Sequence, residues 1–454
     1  MPHARPNRNH PIALGVKHKT RAAIRMGALT GLAALALAAC GSSTHAANSP
    51  TGSGGSTGPT IPPPAKVTGT LSGPGVTAKT ITIGQITTIS GPVPGLFQDS
   101  NDGLDAYVAY LNANGGIDGR TVKILRADDQ FNCNVYTQEL KTMSTEVFAM
   151  VGTFTLNDGC GTATLKADPN LVDVQGTVLT PALYSLPNVF TPTPDPAGYA
   201  TTGYQWIKDK FPTAITKAAT LIPGAALANG KEQELTAESI GYKFVYSRVI
   251  GPIETNFTAD ILRMKSDGVK IVDLGAVTAN DVADFIEQAN QQGLHLDAVI
   301  SAAAYDGHLL KLLGNPSIAN NLLYSPLSYS LYLGTDRTTV PAVNTFLTWL
   351  NKTHPNKSAS IFSVSSWGAG TLLTQAMAAA GPNVTQAAVI RALDNITTFD
   401  SSGLTADTNP AKRLGATCDV IAGIQNGQWT RIDPKSGFEC DGVYHNVPLS
   451  ALGS

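Results

Sequence analysis

Between Thr80 and Asp129 an apolar strand, a tight turn, a helix and a second strand follow one another within about fifty residues, and few folds accommodate that spacing. Ile81, Ile83 and Ile86 alternate with polar or small residues, and Ser90-Gly91-Pro92 ends the strand with turn chemistry. Leu104, Val108 and Leu111 then fall at i, i+4 and i+7 on one helical face, with Tyr107 beside them. Gly115-Gly116 supplies the positive φ that stops a helix, and Thr121 to Ala127 reads as the next strand, ending at Asp128-Asp129. A βαβ unit implies a parallel sheet, so the fold class expected is α/β.

The same stretch carries a resemblance. Ile-Gly-Gln at 83–85, Ser-Gly-Pro at 90–92, Asn-Gly-Gly-Ile-Asp-Gly-Arg at 114–120 and Asp-Asp-Gln at 128–130 resemble the opening of the branched-chain amino-acid-binding proteins, the type I solute-binding proteins of ABC transporters. The likeness extends more weakly over most of the chain after about residue 79. It implies two doubly wound parallel-sheet lobes joined by a three-strand hinge, with a small molecule bound between them.

The N-terminus speaks to compartment. Residues 1–39 hold six bases and no acid, followed by a short apolar run that ends in Leu37-Ala38-Ala39-Cys40-Gly41. This pattern resembles a bacterial lipobox, in which the signal peptide is cut before a cysteine that takes a diacylglycerol. Cys40 is therefore expected as the first mature residue, and two acyl chains suffice for stable membrane anchoring. Without the signal, 25 bases face 33 acids, a net charge of −8, and the absence of a basic cluster argues against nucleic acid as a partner. No later segment offers about 20 continuous apolar residues, so the lipid is the expected membrane attachment.

Residues 40–78 are rich in Ser, Thr, Gly, Pro and Ala, and read as a disordered tether reaching on the order of 35 Å. Gly54-Gly55-Ser56-Thr57-Gly58 matches the serine-hydrolase pattern but lacks the flanking strand and helix that the motif requires. Beyond the first unit, a helix is expected over 138–147 and strands over 149–152 and 177–180, with the loops 153–159 and 181–184 leaving the strand ends where open parallel sheets bind ligands. Pro192, Pro194, Asp195 and Pro196 mark the first crossing between lobes. A second α/β series follows at 218–222, 244–250, 271–274 and 298–300. Gly224 to Glu232 lacks the second glycine and the Ser or Thr of a phosphate loop, because Asn229 and Glu232 stand there. Helices are expected over 340–351, 365–380 and 385–393, and Asn426-Gly427 between apolar runs signals a hairpin over 420–432. The boundaries expected are 1–39 signal, 40–78 linker, 79–196 with 328–399 as one lobe, and 197–327 with 400–454 as the other.

Setting Cys40 aside leaves Cys133, Cys160, Cys418 and Cys440, an even number with three possible connectivities in an oxidising compartment. We expect Cys133 with Cys160, on the loops after two neighbouring strands where the resembled family often has a disulfide. Cys418 with Cys440 would close a short C-terminal loop. Zinc is disfavoured, since neither spacing is C-x-x-C and no histidine lies nearby.

No nucleophile set, metal spacing or cofactor loop is legible, and His295, His308, His354 and His445 are scattered through the folded part. A binding protein rather than an enzyme is expected, with no cofactor and no metal. In the resembled family, hydroxyls and backbone N–H groups of the first lobe meet a ligand carboxylate, while an acid and a tyrosine of the second lobe hold its ammonium. At those positions this chain has Thr155 or Leu156, then Ala182 and Tyr184, then Val277 or Thr278, and Ala302 where the acid is expected. Asp306 is the candidate substitute, although it also suits a helix cap. Phe97, Phe154, Tyr184 and Tyr305 are expected to make the cleft more aromatic. The function expected is a lipid-anchored extracytoplasmic solute-binding protein that delivers an amino acid or related compound to ABC permease subunits. The alternative is a lipoprotein that senses such a ligand and signals to a membrane partner.

Overall fold

The computed structural model describes residues 63–452 apart from Pro196 and Pro252. The signal peptide, Cys40 and the decoy at 54–58 lie outside the described residues. Two separate sheets organise the chain. The first has five parallel strands in the spatial order Thr121–Asp128, Thr80–Thr87, Ala149–Val151, Val172–Val174, Val189–Phe190. The second has seven, in the order Gln428–Asp433, Val420–Gln425, Leu323–Leu327, Ala298–Ile300, Ile271–Asp273, Ala218–Pro223, Phe244–Ile250. Its last five strands run parallel and the hairpin at its edge is antiparallel. In that hairpin Asn426 and Gly427 have φ of 52° and 70°, the paired positive values that a two-residue turn of this hand demands.

Both sheets are covered on both faces. Ile81 and Ile83 pack with Leu104 of helix Gln98–Ala113, whereas Ile86 and Met150 pack with Leu140 and Met143 of helix Cys133–Ser144. In the second sheet Val272 and Val299 meet Phe257 and Phe285, while Ile271 and Ala298 meet Tyr204 and Ala237. This is the doubly wound α/β architecture that alternating strands and helices predict. After the second sheet's strand Leu323–Leu327 the chain returns to the first lobe, where helices Pro341–Thr353 and Ile361–Ala379 lie against Gln98–Ala113.

Two glycines make that last contact possible. A Cβ at Gly103 would stand 2.1 Å from the Ser363 carbonyl oxygen, and one at Gly370 would stand 2.3 Å from the Tyr107 ring. Glycine inside a helix costs about 1 kcal/mol relative to alanine. Here it buys an approach of two backbones that no other residue permits, and Tyr107 Oη completes it by donating to Thr374 Oγ1 at 2.8 Å.

Several expected elements shift. The second helix begins at Cys133 rather than 138, because the Asn132 side chain accepts from the Asn134 and Val135 backbone N–H groups and so sets the start. Helix Ile361–Ala379 begins four residues early for a similar reason, a reciprocal cap between Ser360 and Ser363. The strand expected over 177–180 is a loop. The strand is Val172–Val174, concealed in the sequence by Asp173 at its centre, whose buried carboxyl accepts from Gln175 Nε2 at 2.7 Å. Helix Leu227–Ser239 was not anticipated at all.

The tether also ends sooner than residue 78. Thr70–Leu71 pairs in parallel with Asn383–Val384, and Val67 and Leu71 are buried in the first core. Two apolar residues among the Ser, Gly and Pro suffice because Val384 offers them a buried partner. Both disulfides form as expected, Cys133 with Cys160 and Cys418 with Cys440. The strands that precede Cys133 and Cys160 are not neighbours, however, since both flank Thr80–Thr87.

Candidate functional site

A cavity of about 260 Å³ lies where the carboxyl ends of both sheets face each other. Phe97, Phe154 and Leu179 come from loops that follow first-sheet strands. Asn229, Thr278 and Ala302 come from segments that follow second-sheet strands. Its floor is the three chain crossings, represented by Thr193 to Asp195, by Pro326 to Tyr329, and by Gly415, Ala416 and Asp419. A concave site at the strand ends, on the segments that join two lobes, is where ligands bind in α/β proteins.

One wall is aromatic. The Phe97 and Phe154 ring centroids are 4.6 Å apart, and Phe362 meets them edge-on at 5.2 and 4.9 Å. The opposite wall and the floor are acidic. Asp195, Asp281 and Asp419 line the cavity, and no Lys, Arg or His does so among the described residues. Burial pushes the Asp195 carboxyl up to about 7, and those of Asp281 and Asp419 up to about 6. Glu232, just beneath, is pushed up to about 9 by burial and by the charge of Asp195.

Two side chains donate to Asp195 and oppose the effect of burial. Tyr444 Oη lies 2.8 Å from Asp195 Oδ1 and 2.9 Å from the Gly198 carbonyl oxygen. The phenol donates, its one proton shared between the two oxygens. Asn229 Nδ2 donates to Asp195 Oδ2 at 3.3 Å. Asp419 is served differently: its Oδ2 accepts from Gly203 N at 3.0 Å, and among the described residues no ion pair reaches it.

Of the residues singled out from sequence, Phe97, Phe154 and Leu156 line this cavity, as does Thr278, the second choice beside Val277. Thr155 does not line it. Its hydroxyl donates to Asp129 Oδ2 and accepts from Asn157 N at 2.9 Å, so it is committed to the loop itself. Ala182 is exposed on a 3₁₀ turn, and Tyr184 turns away to receive Asp195 N at 2.8 Å. Val277 and Tyr305 are core residues, 1% and 0% exposed. Tyr305 is fixed by Tyr332 and Trp429, and its hydroxyl accepts from Leu333 N. Asp306 lies outside the cavity lining and holds His308, accepting from its backbone N at 2.6 Å. Asp99, Asp306 and His308 bring one donor atom each within 4.8 Å, a grouping that sequence spacing does not reveal.

The acids, Phe362 and Tyr444 were missed. Asp195 stands among prolines, Asp419 follows Cys418 and Tyr444 follows Cys440, so a weak signal existed in their adjacency to crossings and disulfides. Only the fold brings them to one place.

Residues 80–428 match the family described as Periplasmic binding protein. The chain belongs to that family. Its relatives include the Leu/Ile/Val-binding protein homolog 7 of Brucella suis biovar 1, 22% identical over 243 residues, which is 51% of this chain and 61% of that protein. The chain thus spans about three fifths of the curated relatives it matches. Among solved structures, the branched-chain amino acid transporter substrate binding protein of Streptococcus pneumoniae, in complex with isoleucine, superposes with a TM-score of 0.63 at 17% identity, covering 78% of this chain and all of that one. A fatty acid ABC transporter substrate-binding protein from Thermomonospora curvata gives 0.66 at 18%, covering 81% and 94%. An R. palustris solute-binding protein in complex with 4-hydroxybenzoate gives 0.64 at 18%, covering 78% and 96%. These likenesses establish the type I fold. The family and these neighbours are binding proteins of transporters rather than enzymes. Among the described residues no helix is long and apolar enough to cross a membrane.

Proposed function

We propose that the protein is an extracytoplasmic solute-binding lipoprotein, held to the membrane through Cys40, which captures a small molecule between its lobes and delivers it to ABC permease subunits. The lobes are 79–196 with 328–399 and 197–327 with 400–454. The observation that carries this reading is the cavity at the meeting of the two sheets, floored by all three crossings. Bending those crossings changes the distance between Phe154 and Asn229 without disturbing either core, and a ligand that touches both walls favours the closed arrangement.

The test is a thermal-shift screen of the full chain in detergent against cationic, zwitterionic, neutral and anionic small molecules. A ligand present at 100 times its dissociation constant adds about 2.7 kcal/mol to the apparent stability. At least one class should raise the melting temperature, and a Phe154→Ala/Asn229→Ala double variant should abolish the shift. If no compound of any charge class stabilises the protein, the solute-carrier reading is wrong. Replacement of Cys40 by serine should move the chain from the membrane to the soluble fraction of the cell envelope.

A further inference from the structure

The two walls of the cavity make opposite demands. Phe97, Phe154 and Phe362 stack into a continuous apolar surface that favours a hydrophobic or planar body. Facing it, Asp195, Asp281 and Asp419 supply three carboxyl groups with no lining base to neutralise them. Buried carboxylates are ordinarily paired. Among the described residues no cation pairs with the Asp419 carboxyl, and the single hydrogen bond that this carboxyl accepts comes from the Gly203 backbone.

Side chains that could hold an anion are correspondingly few. The Thr155 hydroxyl, which would have met a ligand carboxylate, is spent on Asp129. Thr177 and Ser328 present hydroxyls to the cavity but no positive charge. A ligand carboxylate would therefore enter a desolvated space lined by three carboxyl groups and, among the described residues, by no basic side chain.

Resting on the reading of this cavity as a solute site, we propose that the solute is an amine with a hydrophobic body and no carboxylate, its ammonium on Asp419 and its body against Phe97, Phe154 and Phe362. The ammonium has three donors, enough to satisfy the free oxygen of Asp419 and neighbouring polar groups such as Ser328. A bound ammonium would oppose the effect of burial on Asp195 and Asp419 and favour their ionised form.

The experiment is calorimetric titration of the full chain in detergent with three compounds that share one ring and differ in charge: 2-phenylethylamine, phenylalanine and 3-phenylpropionate. The amine should bind at least tenfold more tightly than either of the others. Asp419→Asn should weaken the amine at least tenfold, while its side-chain oxygen still accepts from Gly203. Tighter binding of phenylalanine or phenylpropionate to the native chain overturns the proposal and leaves the solute-binding reading intact. So does an Asp419→Asn variant that binds the amine as well as the native chain. If none of the three binds but a neutral or anionic compound succeeds in the broader screen, the amine assignment fails and the function stands. Only silence across every charge class removes both.

Discussion

Replacing Arg431 by methionine should cost the fold about 3–5 kcal/mol, because it strands a buried carboxylate. Arg431 sits on the edge strand of the second sheet and its guanidinium meets Asp336, on the segment returning to the first lobe. The two side chains are 8% and 5% exposed, so the pair is shielded from water and salt. Arg431 Nη1 also donates to the Gly437 carbonyl at 2.8 Å and to that of Pro434 at 3.1 Å. Asp336 Oδ2 in turn accepts from Leu331 N at 2.8 Å. Methionine fills much of the arginine stem's volume, so the loss reports the unpaired charge rather than a void. Urea unfolding followed by tryptophan fluorescence is the assay, with Trp429 two residues away on the same strand. Adding Asp336→Asn removes the stranded charge and keeps an oxygen for Leu331 N, so the double variant should regain at least half of the loss. A single-variant cost below about 1 kcal/mol, the range of exposed pairs, would refute the argument. A double variant no more stable than the single one would do the same.

Three further outcomes follow from the same geometry. Burial pushes the carboxyls of Asp173 and Asp195 up to about 7 and those of Asp273 and Asp419 up to about 6, so the folded chain keeps protons that the unfolded chain releases above about pH 4. Their contribution is complete below the unfolded value and disappears as pH rises through 6 to 7, so the ligand-free protein should melt at a lower temperature at pH 8 than at pH 5; a higher value at pH 8 contradicts the burial argument. Gly103→Val should cost about 1–3 kcal/mol or more by forcing helix Gln98–Ala113 off the Ser363 backbone, and an unchanged urea midpoint would show that the helices can part freely. Converting both Cys133 and Cys160 to serine opens a loop with a sequence separation of 27, worth about 3–4 kcal/mol by the chain-entropy relation, to be read from paired denaturation curves.

Legibility in the sequence followed the range of the interaction. Strand Thr80–Thr87, helix Gln98–Ala113 and the Asn426-Gly427 hairpin are written in local periodicity and turn chemistry, and they emerge where expected. Strand Val172–Val174 was hidden because a buried Asp173 breaks the apolar pattern that identifies a central strand. Phe97, Phe154 and Leu156 line the cavity, whereas Tyr305 is in the core. There one residue of rotation in the loop after Ala298–Ile300 decides between cleft and core. The acids of the cavity are a different case. Asp195, Asp281 and Asp419 belong to distant segments, and each read alone is a turn or cap residue. The missing acid at Ala302 was legible, and so was the crossing that holds Asp195; that Asp195 and Asp419 face the cavity was not.

The pairing of Thr70–Leu71 with Asn383–Val384 has a mechanical meaning. Pro63 to Ala65 line a pocket with Tyr107, Tyr110 and Trp367, Val67 is buried in the first core, and Phe148 and Gln386 surround the ladder, so a pull on the N-terminal end of the chain would be borne by the first sheet and its helices. On the proposed reading, a chain held at its N-terminal end would make the first lobe the fixed jaw and the second the moving one. The aromatic wall would then stay with the held half, and closure would carry the wall bearing Asn229 and Asp281.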